Sequence, residues 1–368
     1  MSRPLPRPAL ASIGGPMAAI PELSMQGAHR LCSNESSLGP SPAAIAAAAA
    51  AAVRGHEYPE GEGGSLIDAI ARDVRVPSAH VRIGPGSDTL VLNAVLAFAG
   101  PGDDVVFHAS GYARYARNAA IAGATPIPVP GIDVRADLDA MLAAITPRTR
   151  LVLLANPDNP SGAMHPMRDI AAFHARLPGH VLLVLDCAYA EYVRDPAYED
   201  GGLALATAAE NVLVSRTFSK LFGLAGLRLG WLCGPPPILD AIAKVGPTFP
   251  VGRPALAAGQ AALADTSHRE AARAHNDRFQ PWLAEALGAR QDLHLYPSQS
   301  NFQLIEFPSS DSVASCTAHL ASHGLLVRRF GPGAHARQMR ISIGHGPALE
   351  HAVELIKTFL DNRRPTCP

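Results

Sequence analysis

From about residue 64 to residue 233 the chain alternates short apolar, β-branched runs with amphipathic stretches, and few folds accept that order. The runs at 105–108, 125–129, 150–155, 181–186, 211–215 and 229–233 have strand length and no solvated face. Helical spacing fills the gaps at 87–99, 112–122, 137–145 and 167–176. Strands buried on both faces need a helical layer on each side, and helices of this length join neighbouring strands in parallel. An α/β fold with a mainly parallel sheet is therefore expected. Gly-Pro punctuation at 234–237 and 246–250 changes the texture. A helical region at 254–287 follows, then strands near 301–307, 325–328 and 339–343, and a last helix at 347–360. The expected organisation is an arm over 1–30, a large α/β domain over 31–250 and a smaller α+β domain over 251–368.

In an open parallel sheet, ligands lie beyond the carboxyl ends of the strands. The polar motifs of this chain fall at those ends. Asp186 closes one run, Asn156 follows another, and Ser219-Lys220 follow a third. Composition sharpens the interest in Lys220. The chain has 31 basic residues, yet only Lys220, Lys244 and Lys357 are lysines. Lys244 and Lys357 fall on amphipathic helices and read as solvated residues. Lys220 instead sits in Ser215-Arg-Thr-Phe-Ser-Lys-Leu-Phe-Gly, among hydroxyls and an arginine, where a lowered pKa would make its amine a nucleophile.

The same composition excludes several function classes. A net charge of -1 gives no general field for nucleic acid or an anionic membrane. The longest low-polarity stretch, 43–53, is far short of the ~20 residues that span a bilayer. Five scattered cysteines (32, 187, 233, 316 and 367) form no Cys-x-x-Cys pair, which argues against a disulfide framework or a zinc site. The N-terminal segment has no continuous apolar h-region. The expectation is a soluble cytoplasmic protein with no metal.

Two further motifs bear on the site. Ile83-Gly-Pro-Gly-Ser-Asp88 is a glycine-rich turn opening a helix, whose N–H groups and dipole could hold a phosphate. Alone it reads more readily as an ordinary capped helix than as a phosphate site; Thr217, Ser219 and Arg228 would supply a second clamp. Asn156-Pro-Asp-Asn159-Pro-Ser-Gly162 places two carboxamides and an acid at a strand end, and Asp186-Cys-Ala-Tyr189 adds a carboxylate and a phenol. A nucleophilic lysine, a phosphate clamp, a carboxylate for a ring nitrogen and a phenol for a ring hydroxyl are what pyridoxal 5'-phosphate requires.

Taken together, these stretches resemble the fold-type-I pyridoxal-phosphate enzymes, and most closely the histidinol-phosphate aminotransferase family. The segment around Asn34-Glu35, Tyr58-Pro-Glu60, Gly86-Ser-Asp88, the 156–162 loop, Arg216 to Lys220, Ala225 to Arg228, Asn301-Phe302 and 339–344 carry the likeness. The resemblance implies a Schiff base on Lys220, with Lys220, Asp186 and Tyr189 as catalytic residues. Asp186 would meet the ring nitrogen, Asn159 and Tyr189 the ring oxygen, and Tyr112 the ring face. Ser87, Asp88, Thr217, Ser219 and Arg228 would hold the cofactor phosphate. Tyr58 would reach the phosphate in a second subunit of a homodimer with shared sites. Asn34, Glu35, Arg328 and Arg340 would contact substrate, a small-molecule amino donor or 2-oxo acid. The implied reaction exchanges an amino group between histidinol phosphate and 2-oxoglutarate in L-histidine biosynthesis. An aromatic amino-acid aminotransferase and a pyridoxal-phosphate-dependent phosphoamino-acid decarboxylase are the alternatives. The sequence departs from the family pattern at Ser36-Ser37, Thr89 and Ser110-Gly111, and no Tyr precedes Tyr58.

Overall fold

The computed structural model describes residues 7, 10, 13, 27–59 and 63–362; most of the expected arm, together with Glu60 and Cys367, lies outside them. Along the chain come β1 (His29–Leu31), α1 (Pro42–Ala52), α2 (Gly64–Val74), β2 (Val81–Gly84), α3 (Ser87–Phe98), β3 (Asp104–His108), α4 (Arg114–Ala122) and β4 (Thr125–Val129). Then follow α5 (Leu138–Ala143), β5 (Thr149–Ala155), α6 (Met167–His174), β6 (Leu182–Asp186), α7 (Leu203–Ala208), β7 (Val212–Thr217) and β8 (Gly230–Cys233). The remainder is α8 (Pro236–Val245), α9 (Arg253–Ala264), α10 (Thr266–Gly288), β9 (His294–Leu295), β10 (Phe302–Glu306), α11 (Ser310–Ser322), β11 (Leu325–Arg329), β12 (Gln338–Ser342) and α12 (Gly346–Asp361).

Seven strands form one sheet in the order β2-β8-β7-β6-β5-β3-β4. Its neighbours pair in parallel except around β8, which is antiparallel to both β7 and β2. The α/β class expected from the alternation is the class observed. Period-2 side-chain alternation explains why these strands read as unbroken apolar runs. On β5, Leu151 and Leu153 face the cluster under α3, α4 and α8, while Val152 and Leu154 face the opposite cluster. On β6, Leu182 and Val184 divide from Leu183 and Leu185 in the same way.

The reversal at β8 matters for the site. A parallel neighbour needs a crossover of a dozen or more residues, usually a helix. The link from β7 to β8, residues 218–229, contains no α-helix to carry a crossover, only one short 3-10 turn, Ala225–Leu227. The chain therefore turns back at the carboxyl edge of the sheet and leaves Lys220 there.

A second sheet has the order β1-β11-β12-β10-β9, with β1 parallel to β11 and the other pairs antiparallel. Its core, with Phe307, Met339, Ile341 and Leu349, packs against α10, α11 and α12. The two cores interleave along the sequence. β1 adds its strand to the second sheet, with Leu31 in that core. Ala255, Ala258 and Ala262 of α9 belong to the first core, beyond the division expected at residue 250. The physical reason is close helix contact: α9 packs along the alanine-rich α1, and small side chains let two axes approach. α1 itself starts as its sequence predicts, with Ser41 accepting from Ala44 N–H at 3.1 Å and Pro42 in the first turn. The expected single helical region at 254–287 is two helices. Asp265 ends α9 and caps α10 by accepting from His268 N–H at 3.0 Å.

Candidate active site

Three strand ends, one helix start and two segments outside the seven-stranded sheet meet in one crevice. From β6 comes Asp186, buried on its strand end. Its Oδ2 accepts from the Tyr115 hydroxyl at 3.0 Å, while Oδ1 is buried without a hydrogen-bond partner among the described residues. Burial pushes the Asp186 carboxyl up to about 6, against the lowering effect of the Tyr115 hydroxyl. A buried carboxylate oxygen with an unused lone pair can accept from one more donor, and a protonated ring nitrogen is such a donor.

From β7 come Thr217, Ser219 and Lys220. Lys220 Nζ donates to the Ser33 carbonyl at 3.0 Å and lies 5.7 Å from the centre of the Tyr189 ring. Burial, with help from the neighbouring Arg340 guanidinium, lowers the Lys220 amine to about 7. The stability consequence has a definite sign. The folded pKa lies below the ordinary lysine value, so the unfolded chain holds more protons between about pH 7 and 10.5. Burying this ammonium therefore destabilises the fold fully below about pH 7, and the penalty lifts as pH rises. Lys220→Met is expected to stabilise the ligand-free protein by a few kcal/mol at pH 7, and the gain is expected to vanish near pH 10.5. Urea titrations of both proteins across that range check this; a pH-independent difference would refute it.

The helix start that follows β2 supplies the anion site. No side chain caps α3, so its first N–H groups remain available beside Ser87 and Asp88. Gly86 sits at φ +89°, and a Cβ there would collide with Arg228 Nη2. The positive φ favours glycine there, and the missing Cβ leaves room for the guanidinium close to the helix start. Arg228 Nη1 also donates to Ser219 Oγ at 3.3 Å, and the Thr217 hydroxyl accepts from Ser219 N–H at 3.1 Å. The Asp88 carboxylate is engaged by neighbouring side chains. It is gripped by Arg114, with Nε–Oδ2 at 3.1 Å, and faces the Tyr112 hydroxyl at 3.5 Å.

From β5 comes the loop 156–162, whose two Asn-Pro bonds are cis. Asn156 pins it by accepting from His165 N–H at 2.8 Å and donating to the His165 carbonyl at 3.1 Å. Asn159 donates to Tyr189 Oη at 3.2 Å and accepts from Arg340 Nη1. The Tyr189 oxygen also accepts from Asn34 Nδ2 at 2.9 Å. Arg340 reaches in from β12, donating through Nη2 to the Cys32 carbonyl at 2.9 Å, with Nε buried and unpartnered among the described residues. The segment after β1 closes the crevice. Asn34 adopts a left-handed conformation (φ 55°) and is held by Ser342 and Asn301. Asparagine tolerates that region better than most residues.

The structure thus brings together Asn34, Ser87, Asp88, Tyr112, Asn159, Asp186, Tyr189, Thr217, Ser219, Lys220, Arg228 and Arg340. Glu35 lies at the rim, paired with Arg30 at 2.7 Å. Arg328 stands beside Arg340 in the β11–β12 register. Tyr58 is not drawn into the crevice of its own chain; it is 75% exposed and stacked on Phe249 at 4.4 Å. Sequence reasoning missed Tyr115 and Arg114. Tyr115 lies three residues after Tyr112 at a helix start, a spacing that puts both on one face, so a signal existed. The carbonyls of Cys32 and Ser33 carry no signal, since every residue has one. Among the described residues, no cluster of three His, Cys, Asp or Glu could hold a metal.

This donor set fits pyridoxal 5'-phosphate: an amine, a buried carboxylate oxygen awaiting a donor, a phenol and an anion site with an arginine.

Residues 28–356 match the family described as aminotransferase class I and II. The chain is 40% identical over 365 residues to a histidinol-phosphate aminotransferase of Paramagnetospirillum magneticum, covering 98% of this chain and 99% of that protein. It is 41% identical to one from Cereibacter sphaeroides, covering 91% and 92% respectively. Among solved structures, the histidinol-phosphate aminotransferase of Sinorhizobium meliloti in complex with pyridoxal-5'-phosphate superposes with a TM-score of 0.89. That match has 30% identity and covers 97% of this chain and 98% of the other.

Proposed function

The chain belongs to the class I and II aminotransferase family, and from that premise we propose that it is a pyridoxal-phosphate-dependent transaminase exchanging an amino group between histidinol phosphate and 2-oxoglutarate in L-histidine biosynthesis. The observation that carries this reading is the convergence of Lys220 with the unpartnered Asp186 Oδ1 at one sheet edge. Histidinol phosphate as the donor is supported by relatives of that name over nearly the full chain.

When bound, the cofactor supplies an electron sink for the charge that develops as the substrate carbon loses its proton. The residues have separable tasks. Thr217, Ser219, Arg228 and the N–H groups at Ser87 and Asp88 bind the phosphate. Asp186 Oδ1 holds a proton on the ring nitrogen, and Asn159 and Tyr189 orient the ring oxygen. Tyr112 covers one ring face. Lys220 Nζ, with a pKa near 7, is neutral in a large fraction of molecules at physiological pH and can both take and return a proton. Arg340 offers a fork to a carboxylate, with Arg328 beside it for a distal anion. Asn34 and Glu35 line the mouth.

Because a lysine cannot reproduce that fork, Arg340→Lys is expected to raise the KM for 2-oxoglutarate about 30-fold while kcat falls less. Steady-state kinetics with each substrate varied checks this, and an unchanged KM would refute the clamp. The donor is tested by mixing purified holoenzyme with histidinol phosphate or with phenylalanine and timing the change in cofactor absorbance. Faster reaction with histidinol phosphate is expected. A preference for phenylalanine would replace the reading with an aromatic transaminase, and carbon dioxide release from a phosphoamino acid with a decarboxylase.

A homodimer with shared sites belongs to the same proposal. It is supported by the exposed Tyr58–Phe249 pair, an aromatic surface suited to a second copy. A cytoplasmic location is supported by the buried free thiols Cys32, Cys187, Cys233 and Cys316. No described helix is long and apolar enough to cross a membrane.

A further inference from the structure

Tyr115 belongs to no motif of the sequence, yet its hydroxyl is one of the few groups that touch Asp186. The residue is only 2% exposed and opens the first turn of α4. Two edge contacts fix its ring, with Phe107 at 6.3 Å and Tyr112 at 5.5 Å. The ring cannot swing without displacing one of them, so the hydroxyl is aimed by packing. It donates to Asp186 Oδ2 at 3.0 Å and leaves Oδ1 without a partner among the described residues. A carboxylate with one oxygen occupied and the other free is both oriented and kept as an acceptor. A core tyrosine would need a partner for its hydroxyl too. Any carbonyl would serve that purpose, however, and here the partner is the one carboxylate at the carboxyl end of β6.

The same turn makes two other ties. Tyr112 stands over the crevice, and Arg114 grips Asp88 beside the start of α3. The start of α4 and the residue just before its N-cap thus reach the ring face, the phosphate end and the ring-nitrogen partner.

We propose that Tyr115 is a positioning residue for the transamination reaction, acting through Asp186: its hydroxyl holds Oδ2 so that Oδ1 stays ionised and directed at the ring nitrogen of the cofactor. The proposal rests on the functional reading above and deepens it.

The charged and titratable groups around Asp186 set the expected sign. Lys220 favours its ionised form, while Asp88 disfavours it. Asp158, Tyr112, Tyr189 and Cys187 also stand close enough to interact with it. The Tyr115 hydroxyl lowers the carboxyl, so its removal raises the midpoint at which Asp186 takes a proton.

The test is Tyr115→Phe, which keeps the ring and deletes one oxygen. Three measurements are made on it and on the wild type: the carbon-13 titration of Asp186 in cofactor-free protein, the pH dependence of cofactor absorbance in the holoenzyme, and kcat with KM. The Asp186 midpoint is expected to rise by about one pH unit, and the acidic limb of the holoenzyme profile to move up with it. An approximately tenfold fall in kcat with little change in KM is expected. Phe107→Leu serves as the packing control. It loosens the ring while leaving the hydroxyl, and it is expected to leave the Asp186 midpoint in place. An unchanged Asp186 midpoint in Tyr115→Phe would overturn the proposal, as would the same shift in Phe107→Leu. Absence of a cofactor band in the wild type would instead overturn the functional reading, while the carbon-13 titration would still decide the role of Tyr115.

Discussion

Lys220→Ala is expected to abolish transamination, with a loss of about 10⁴-fold or more, because one side chain supplies both the amine that bonds the cofactor and the base that moves the proton. The holoenzyme should also lose its visible absorbance from the lysine-bound cofactor. Neither Lys244 nor Lys357 can take over. They lie on α8 and α12, away from the strand ends. Lys220→Arg is expected to be as inactive as the alanine variant, since a guanidinium stays protonated and cannot serve as a nucleophile or base. Single-turnover assays with a large excess of enzyme provide the sensitivity. Turnover within 100-fold of wild type in either variant would refute the role given to this lysine.

Asp186→Asn is expected to cost about 10³-fold in kcat, the second-largest effect. The amide keeps the shape of the carboxylate and can still accept from Tyr115, so the fold should be preserved. What disappears is the negative charge that keeps a proton on the ring nitrogen, and with it most of the electron sink. The variant should also release cofactor more readily during gel filtration, because a buried charge-assisted hydrogen bond is lost. The sign with pH follows from burial. The carboxyl is raised to about 6, so in cofactor-free protein its charge is present above that value and lost as pH falls through it. The affinity of wild-type apoprotein for the cofactor should weaken below about pH 6, while that of Asp186→Asn should show no such fall. A kcat within tenfold of wild type would refute the pairing.

The central sheet was legible because β3, β5, β6 and β7 are buried nearly throughout, although the edge strand β4 is largely exposed or half-buried. β4 has the bounds its pattern predicts, and β3, β5 and β6 differ by one residue at their starts. β1 and β9, at three and two residues, are too short to carry a period. Their pairing comes from tertiary contact. The antiparallel β8 was hidden for another reason. Its residues are as apolar as those of a parallel strand, and only the missing helix in the link at 218–229 betrays the reversal. The crevice was legible where chemistry sits at strand ends, as with Asp186, Asn159 and Lys220. The segment after β1 entered only through the resemblance carried by Asn34-Glu35, because no local pattern tells a strand to join a sheet built from residues almost 300 positions later.

That pairing of β1 with β11 joins two properties of the molecule in one stretch of chain. β1 is the outer strand of the second sheet, and beneath it β11 would otherwise offer its own backbone groups to solvent or to another chain. The next few residues supply the Ser33 carbonyl, the Asn34 amide and the Cys32 carbonyl to the crevice. Loss of this stretch would therefore disarm the site and uncover a sticky edge in the same event. A chain damaged there would thus carry an exposed sheet edge open to pairing with other chains together with a disarmed site.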